Sequence, residues 1–174
     1  TINTRFWAWQ AGIDGWNDSA KTMILGWGPE NFNIPFSKHF NPQFYRGPGS
    51  ETLFDRAHNM FVEILVTMGL LGFLSYLAIF AVLFYTLGKV LRYSPSKEQR
   101  VYAAVLISGV VAYIIHNAFI FDTSANLLLF FVTIGFIHRL VTTVAQPDKN
   151  IKAAQSRPAN YSLIFIVACL LAGL

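Results

Sequence analysis

The chain has 174 residues and is 54% hydrophobic, with only 13% charged residues. Soluble globular chains carry about 25% charged residues. The deficit excludes an ordinary water-soluble domain, and the net charge of +4 does not by itself argue for a nucleic-acid partner.

In chain order, the first sixty residues form a mixed polar and aromatic segment. Phe6, Trp9, Ile13, Trp16, Ala20 and Met23 recur at three- and four-residue steps. This predicts one amphipathic, Trp-rich helix, suited to a membrane surface or to packing on neighbours. Gly26-Trp27-Gly28-Pro29-Glu30-Asn31-Phe32 then forces a turn. A long loop follows, broken again at Arg46-Gly47-Pro48-Gly49-Ser50. Its aromatics (Phe32, Phe36, Phe40, Phe44 and Tyr45) argue against disorder and suit a loop folded over a site or lying on lipid headgroups.

The stretch Phe54-Asp55-Arg56-Ala57-His58-Asn59 sits where this segment meets a long apolar run. Ionisable groups at the edge of a membrane span are functional candidates. Plainer roles exist: Asp55 as a helix N-cap, His58 as an interfacial histidine, Arg5 and Arg56 as partners of lipid phosphates. Asn59 and Glu63, four apart, share a helix face.

Apolar runs then predict spans over about 61–87, 101–121 and 125–144, with a truncated fourth at 161–174. Gly69-x-x-Gly72 reads as close helix packing. His116, and Asp122 with Thr123 and Ser124, read mainly as helix-end residues. His39 and His138 receive no role. Cys169, the one cysteine, has no intrachain partner. With no initiator Met and an apolar end, the sequence reads as an internal or C-terminal piece of a larger multi-span protein.

Charge sets an orientation. Lys89, Arg92, Lys97 and Arg100 face only Glu98 in one short loop, and Arg139, Lys149, Lys152 and Arg157 face only Asp148 in the next. Residues 1–60 are balanced, with five basic and five acidic residues. Basic short loops stay cytoplasmic. Residues 1–60 and 121–124 are therefore expected outside, and 88–100 and 145–160 inside. The expected fold is an all-α polytopic membrane bundle, with 1–60 a large extracytoplasmic loop and 61–174 the transmembrane helices.

The sequence holds no phosphate-cradling glycine loop, no His/Cys cluster at metal spacing and no Gly-x-Ser-x-Gly elbow. The ordered series Arg5…Trp9, Gly26-x-Gly28-Pro29-Glu30-Asn31-Phe32, Asp55-Arg56-Ala57-His58-Asn59, Glu63, Gly69-x-x-Gly72 and His116-Asn117-x-x-x-x-Asp122 resembles the O-antigen ligase and polymerase superfamily of membrane glycosyltransferases. The resemblance covers nearly the whole chain, but it lacks the family's N-terminal half and the arginines carried there. It implies transfer of a glycan from undecaprenyl pyrophosphate to an acceptor hydroxyl on lipid A core, on another glycan or on a protein. It places the reaction on the outer face of a bacterial inner membrane, with no metal, nucleotide or other cofactor. It further implies catalytic roles for His58 and Arg5, and substrate binding by Arg56, Asn59, Gly28 and Asn31. The alternative is a non-enzymatic polysaccharide export or flippase-like component. Such a protein should line a path with charges inside its spans, and here the polar groups collect at one end.

Overall fold

The computed structural model describes residues 2–46 and 52–145. The expected fourth span, Cys169, the breaker after Arg46 and most of the second basic loop lie outside these residues. Among the described residues every regular element is helical: α1 (Ile2–Trp16), α2 (Ala20–Leu25), α3 (Asn33–Lys38), a 3-10 turn (Pro42–Arg46), α4 (Met60–Tyr93), α5 (Lys97–Asn117) and α6 (Ser124–Ala145). Three helices are long and apolar enough to cross a membrane: Met60–Tyr93, Lys97–Asn117 and Ser124–Thr142. Their exposed side chains include Leu71, Leu74, Val105, Leu128, Leu129 and Val132. Water-facing helices of a soluble protein rarely carry so much contiguous apolar surface. The contacts divide the chain into two units, one of residues up to Leu77 with Ile114–Asp122, the other of Ala78–Tyr113 with residues from Thr123 on.

In the first unit, α1 buries Thr4, Ala8, Ala11, Gly12 and Gly15. The packed face is only partly the aromatic stripe: Trp9 and Trp16 lie against the core. Phe6 and Ile13, members of the aromatic stripe, are 52% and 40% exposed, and the helix stops at Trp16 instead of running to Met23. The small face wins because it admits large partners. A Cβ at Gly12 would fall 2.7 Å from the Phe32 ring, and one at Gly15 would fall 2.3 Å from Pro35. Ser19 restarts the chain as the N-cap of α2, in a capping box with Thr22.

The loop phenylalanines turn inward, while Tyr45 stays exposed. Phe32, Phe36, Phe44 and Phe54 form a buried core with Ala8, Ala11, Ala57 and Val66. The Phe36 ring lies 5.4–5.7 Å from Phe40, Phe44 and Phe54. Edge-to-face pairs at such distances add to the stabilisation from burial alone. The "irregular" loop thus carries the hydrophobic centre of the unit.

Helix α4 is interrupted where the sequence suggested simple packing. Gly69 has φ 66° and ψ −169°, a non-helical conformation inside the helix. A β-carbon there would meet Ile24 O at 2.4 Å. The break frees two carbonyls, and the loop takes them: Trp27 N–H donates to Val66 O (3.1 Å) and Gly28 N–H to Thr67 O (2.7 Å). Gly69 therefore serves a close backbone-to-backbone contact with the last turn of α2 and its C-cap Gly26. Leu70–Tyr93 alone still measures about 36 Å at 1.5 Å per residue, beyond the roughly 30 Å hydrocarbon core.

The second unit packs by regular stripes. Phe80, Leu83, Leu87 and Val90 of α4 are buried, as are Phe130, Ile134, Ile137 and Leu140 of α6. Tyr113 of α5 stacks on Phe130 with ring centroids 4.4 Å apart. Thr123, rather than Asp122, caps α6, its Oγ1 accepting from Asn126 N–H at 3.3 Å.

Candidate functional site

The site is built on the turn that feeds α4. Phe54 and Ala57 point into the core at 4% and 0% exposure, while Arg56 and His58 are half-buried between them. Both polar groups of the Ala57 backbone are held by distant side chains. Trp9 Nε1 donates to the Ala57 carbonyl at 2.6 Å. Ala57 N–H donates to Glu63 Oε2 at 2.7 Å. Glu63 is itself buried, 6% exposed, one turn into α4.

Asn59 begins the helix. Its Oδ1 accepts from the Phe61 and Val62 N–H groups at 2.9 and 3.2 Å. Asn59, not the expected Asp55, is the N-cap. Asn59 and Glu63 are joined by the backbone bond Glu63 N–H to Asn59 O, while the Glu63 side chain reaches back to the turn.

With both neighbours fixed, His58 takes φ 52°. A non-glycine residue in this left-handed region is uncommon. His58 Nδ1 lies 3.2 Å from the Arg56 carbonyl oxygen. In the neutral ring a proton on Nδ1 donates to that carbonyl, which leaves Nε2 as the acceptor nitrogen. The ring meets Phe54 and Phe121 edge-on, with centroids 5.8 and 5.4 Å away.

Phe121 and its neighbour Phe119 tie the candidate residues together. Arg56 sits over the Phe121 ring at 5.2 Å. Arg5 Nη1 donates to Phe119 O at 2.9 Å. Arg5, Arg56 and His58 therefore all touch one three-residue segment. That segment is anchored in turn by Asn117, fully buried, whose Nδ2 donates to the Tyr76 hydroxyl at 2.8 Å and to Asp122 Oδ2 at 3.3 Å.

The other candidates lie one layer away. Asn31 Nδ2 donates to Trp27 O at 3.2 Å, and Gly28 (φ 96°) bonds Thr67 O through its N–H. Their bonds go to the backbone of the loop and of α4. The loop reaches the turn through Glu30, which pairs with Arg56. His116 is exposed at the end of α5.

The sequence left four contributors without a role at the site. Glu63 was visible as the single ionisable residue in its apolar run. Glu30 stood inside a quoted motif, but its reach to Arg56 spans 26 residues. Nothing in the sequence pointed to Phe119 and Phe121. His39, left without a role, faces Asp18 at 3.0 Å beside Lys38 at 2.9 Å. These two partners, Lys38 foremost, hold the Asp18 carboxyl below the usual carboxylate range. His39 also lines, with Trp7, Gln10, Asp14 and Asn41, a small open cleft of about 210 Å³.

No group of three His, Cys, Asp or Glu side chains among the described residues is arranged to hold a metal ion. No family model, curated protein or solved structure matches the chain.

Proposed function

We propose that this chain is the outward-facing catalytic segment, with its supporting spans, of a polytopic membrane glycosyltransferase of the O-antigen ligase and polymerase kind. The substrate is a glycan on undecaprenyl pyrophosphate. The acceptor is a hydroxyl of lipid A core, a glycan repeat or a protein, and the chemistry uses no cofactor. In this reading residues 1–60 lie outside a bacterial inner membrane and α4, α5 and α6 cross it.

One observation carries the proposal: Arg5, Arg56 and His58 converge on the Phe119–Phe121 segment, which follows α5 and lies against the turn that feeds α4, the longest apolar helix among the described residues. Glycosyl transfer from a pyrophosphate lipid asks for this set. The acceptor oxygen attacks the anomeric carbon as the carbon–oxygen bond to phosphate breaks, and the pyrophosphate leaves with the bonding electrons. Guanidinium groups neutralise that leaving group through paired N–H donors. The acceptor proton passes to Nε2 of His58, the nitrogen to which no described residue donates. The aromatic rings of Phe54 and Phe121 pack edge-on against the imidazole.

Arginine at position 5 gives the discriminating test. Arg5→Lys keeps the charge and loses the planar fork. Transfer from a polyprenyl-pyrophosphate-linked glycan by the full-length protein should fall at least tenfold in this variant, with expression unchanged. Normal transfer by both Arg5→Lys and Arg5→Ala would reduce Arg5 to a lipid contact and remove it from the site.

A further inference from the structure

Glu30 is the residue whose position the catalytic reading leaves unused. It stands at φ 65°, a left-handed backbone that a glutamate rarely adopts. Strained residues of this kind cluster at ligand clamps and switches. Its carboxylate pairs with Arg56. The Glu30 side chain is 70% exposed and that of Arg56 30%, and exposed ion pairs contribute little to stability. The guanidinium has a second contact besides Glu30, because the Phe121 ring lies under it at 5.2 Å. Removing the carboxylate would leave a positioned, unneutralised arginine.

We propose that Glu30 is a displaceable counter-ion that sets which phosphate esters Arg56 accepts, admitting pyrophosphates and excluding single phosphodiesters. The inference rests on the reading of Arg56 as a phosphate-holding group. Its physical basis is competition. A tethered carboxylate acts at high effective concentration. A phosphodiester headgroup offers the same single negative charge and gains nothing by exchange. A pyrophosphate offers at least two charges and more acceptor oxygens, so it outbids the carboxylate. A site at a membrane surface is surrounded by phosphodiester headgroups in great excess, and discrimination of this kind needs an element that works against the wrong ligand.

The test uses the full-length protein in nanodiscs, with inorganic pyrophosphate as the probe and its Kd as the readout. Discs of phosphatidylcholine alone, whose phosphate carries its own cation, are compared with discs containing phosphatidylglycerol. Wild type should bind with the same Kd, within twofold, in both. Glu30→Gln should bind at least threefold tighter in phosphatidylcholine discs and lose that gain in phosphatidylglycerol discs, where headgroups occupy Arg56. Glu30→Asn, a residue that tolerates the left-handed backbone and carries no charge, should behave like Glu30→Gln, which guards against a fault peculiar to one variant. If both variants bind no tighter than wild type while Arg56→Gln weakens binding, Glu30 is a structural tether and the proposal is wrong, with the phosphate role of Arg56 intact. If Arg56→Gln leaves the Kd unchanged, the reading of Arg56 itself falls, and this inference with it.

Discussion

Ala57 has no side-chain chemistry, yet the geometry of the turn depends on it. Its carbonyl is held by Trp9, 48 residues earlier, and its N–H by the buried carboxylate of Glu63. The next residue, His58, is left in a conformation it would not choose alone. Replacing Glu63 by leucine leaves a buried N–H without an acceptor, which costs about 1–3 kcal/mol. Glu63→Gln keeps a carbonyl oxygen in reach and should cost clearly less. The thermal midpoints of the two variants check this, and equal losses would show that the hydrogen bond is not what Glu63 supplies. Asn59→Ala removes the acceptor for two first-turn N–H groups and should lower stability by about 1 kcal/mol. The chemical types at this site were legible in the sequence: a histidine and arginines beside an apolar run invite the reading. The clamp was not, because Trp9 and Glu63 act on backbone atoms of a residue that a motif passes over.

Among the elements, α4 shows where reading from periodicity stops. Its apolar length announces a span. A single glycine inside a helical pattern is usually tolerated, so the break at Gly69 is invisible until the end of α2 is seen pressed against it. Gly69→Ala would place a Cβ at φ 66°, 2.4 Å from Ile24 O, and should destabilise the protein by on the order of 1–3 kcal/mol. Gly88→Ala, with nothing within 4 Å of the added carbon, is the control and should leave the midpoint unchanged or raise it. Helix α1 misleads for a related reason. Large aromatics dominate a periodicity count, but the small residues opposite them let Phe32 and Pro35 approach. The link from Asp18 to Lys38 and His39 ties the end of α1 to α3. Its carboxyl is lowered in the folded protein, so its contribution is complete above the ordinary aspartate range, about pH 4. That contribution is lost as the pH falls through the lowered folded value. Between pH 5 and pH 3 the thermal midpoint of Asp18→Asn should therefore fall less than that of wild type.

At the scale of the whole molecule, length and apolar character made the three long helices legible, and charge supplied an orientation that the helices alone do not carry. That orientation is checked by single cysteines in a Cys169→Ala background. Ser37→Cys, on the exposed side of α3, should react with an impermeant thiol reagent in intact cells. Lys97→Cys, exposed at the start of α5, should stay silent until the membrane is opened. The reverse pattern would put the site on the wrong face for a reaction outside the membrane. The central claim is that His58 takes the acceptor proton during glycan transfer, and it is met most directly by His58→Ala in purified full-length protein given a lipid-linked donor. A general base contributes roughly 10²–10⁴-fold in rate. His58→Ala should lose a factor of that size, with donor binding and thermal midpoint nearly unchanged. A His58→Ala protein that transfers at close to the wild-type rate, whatever its stability, would contradict it.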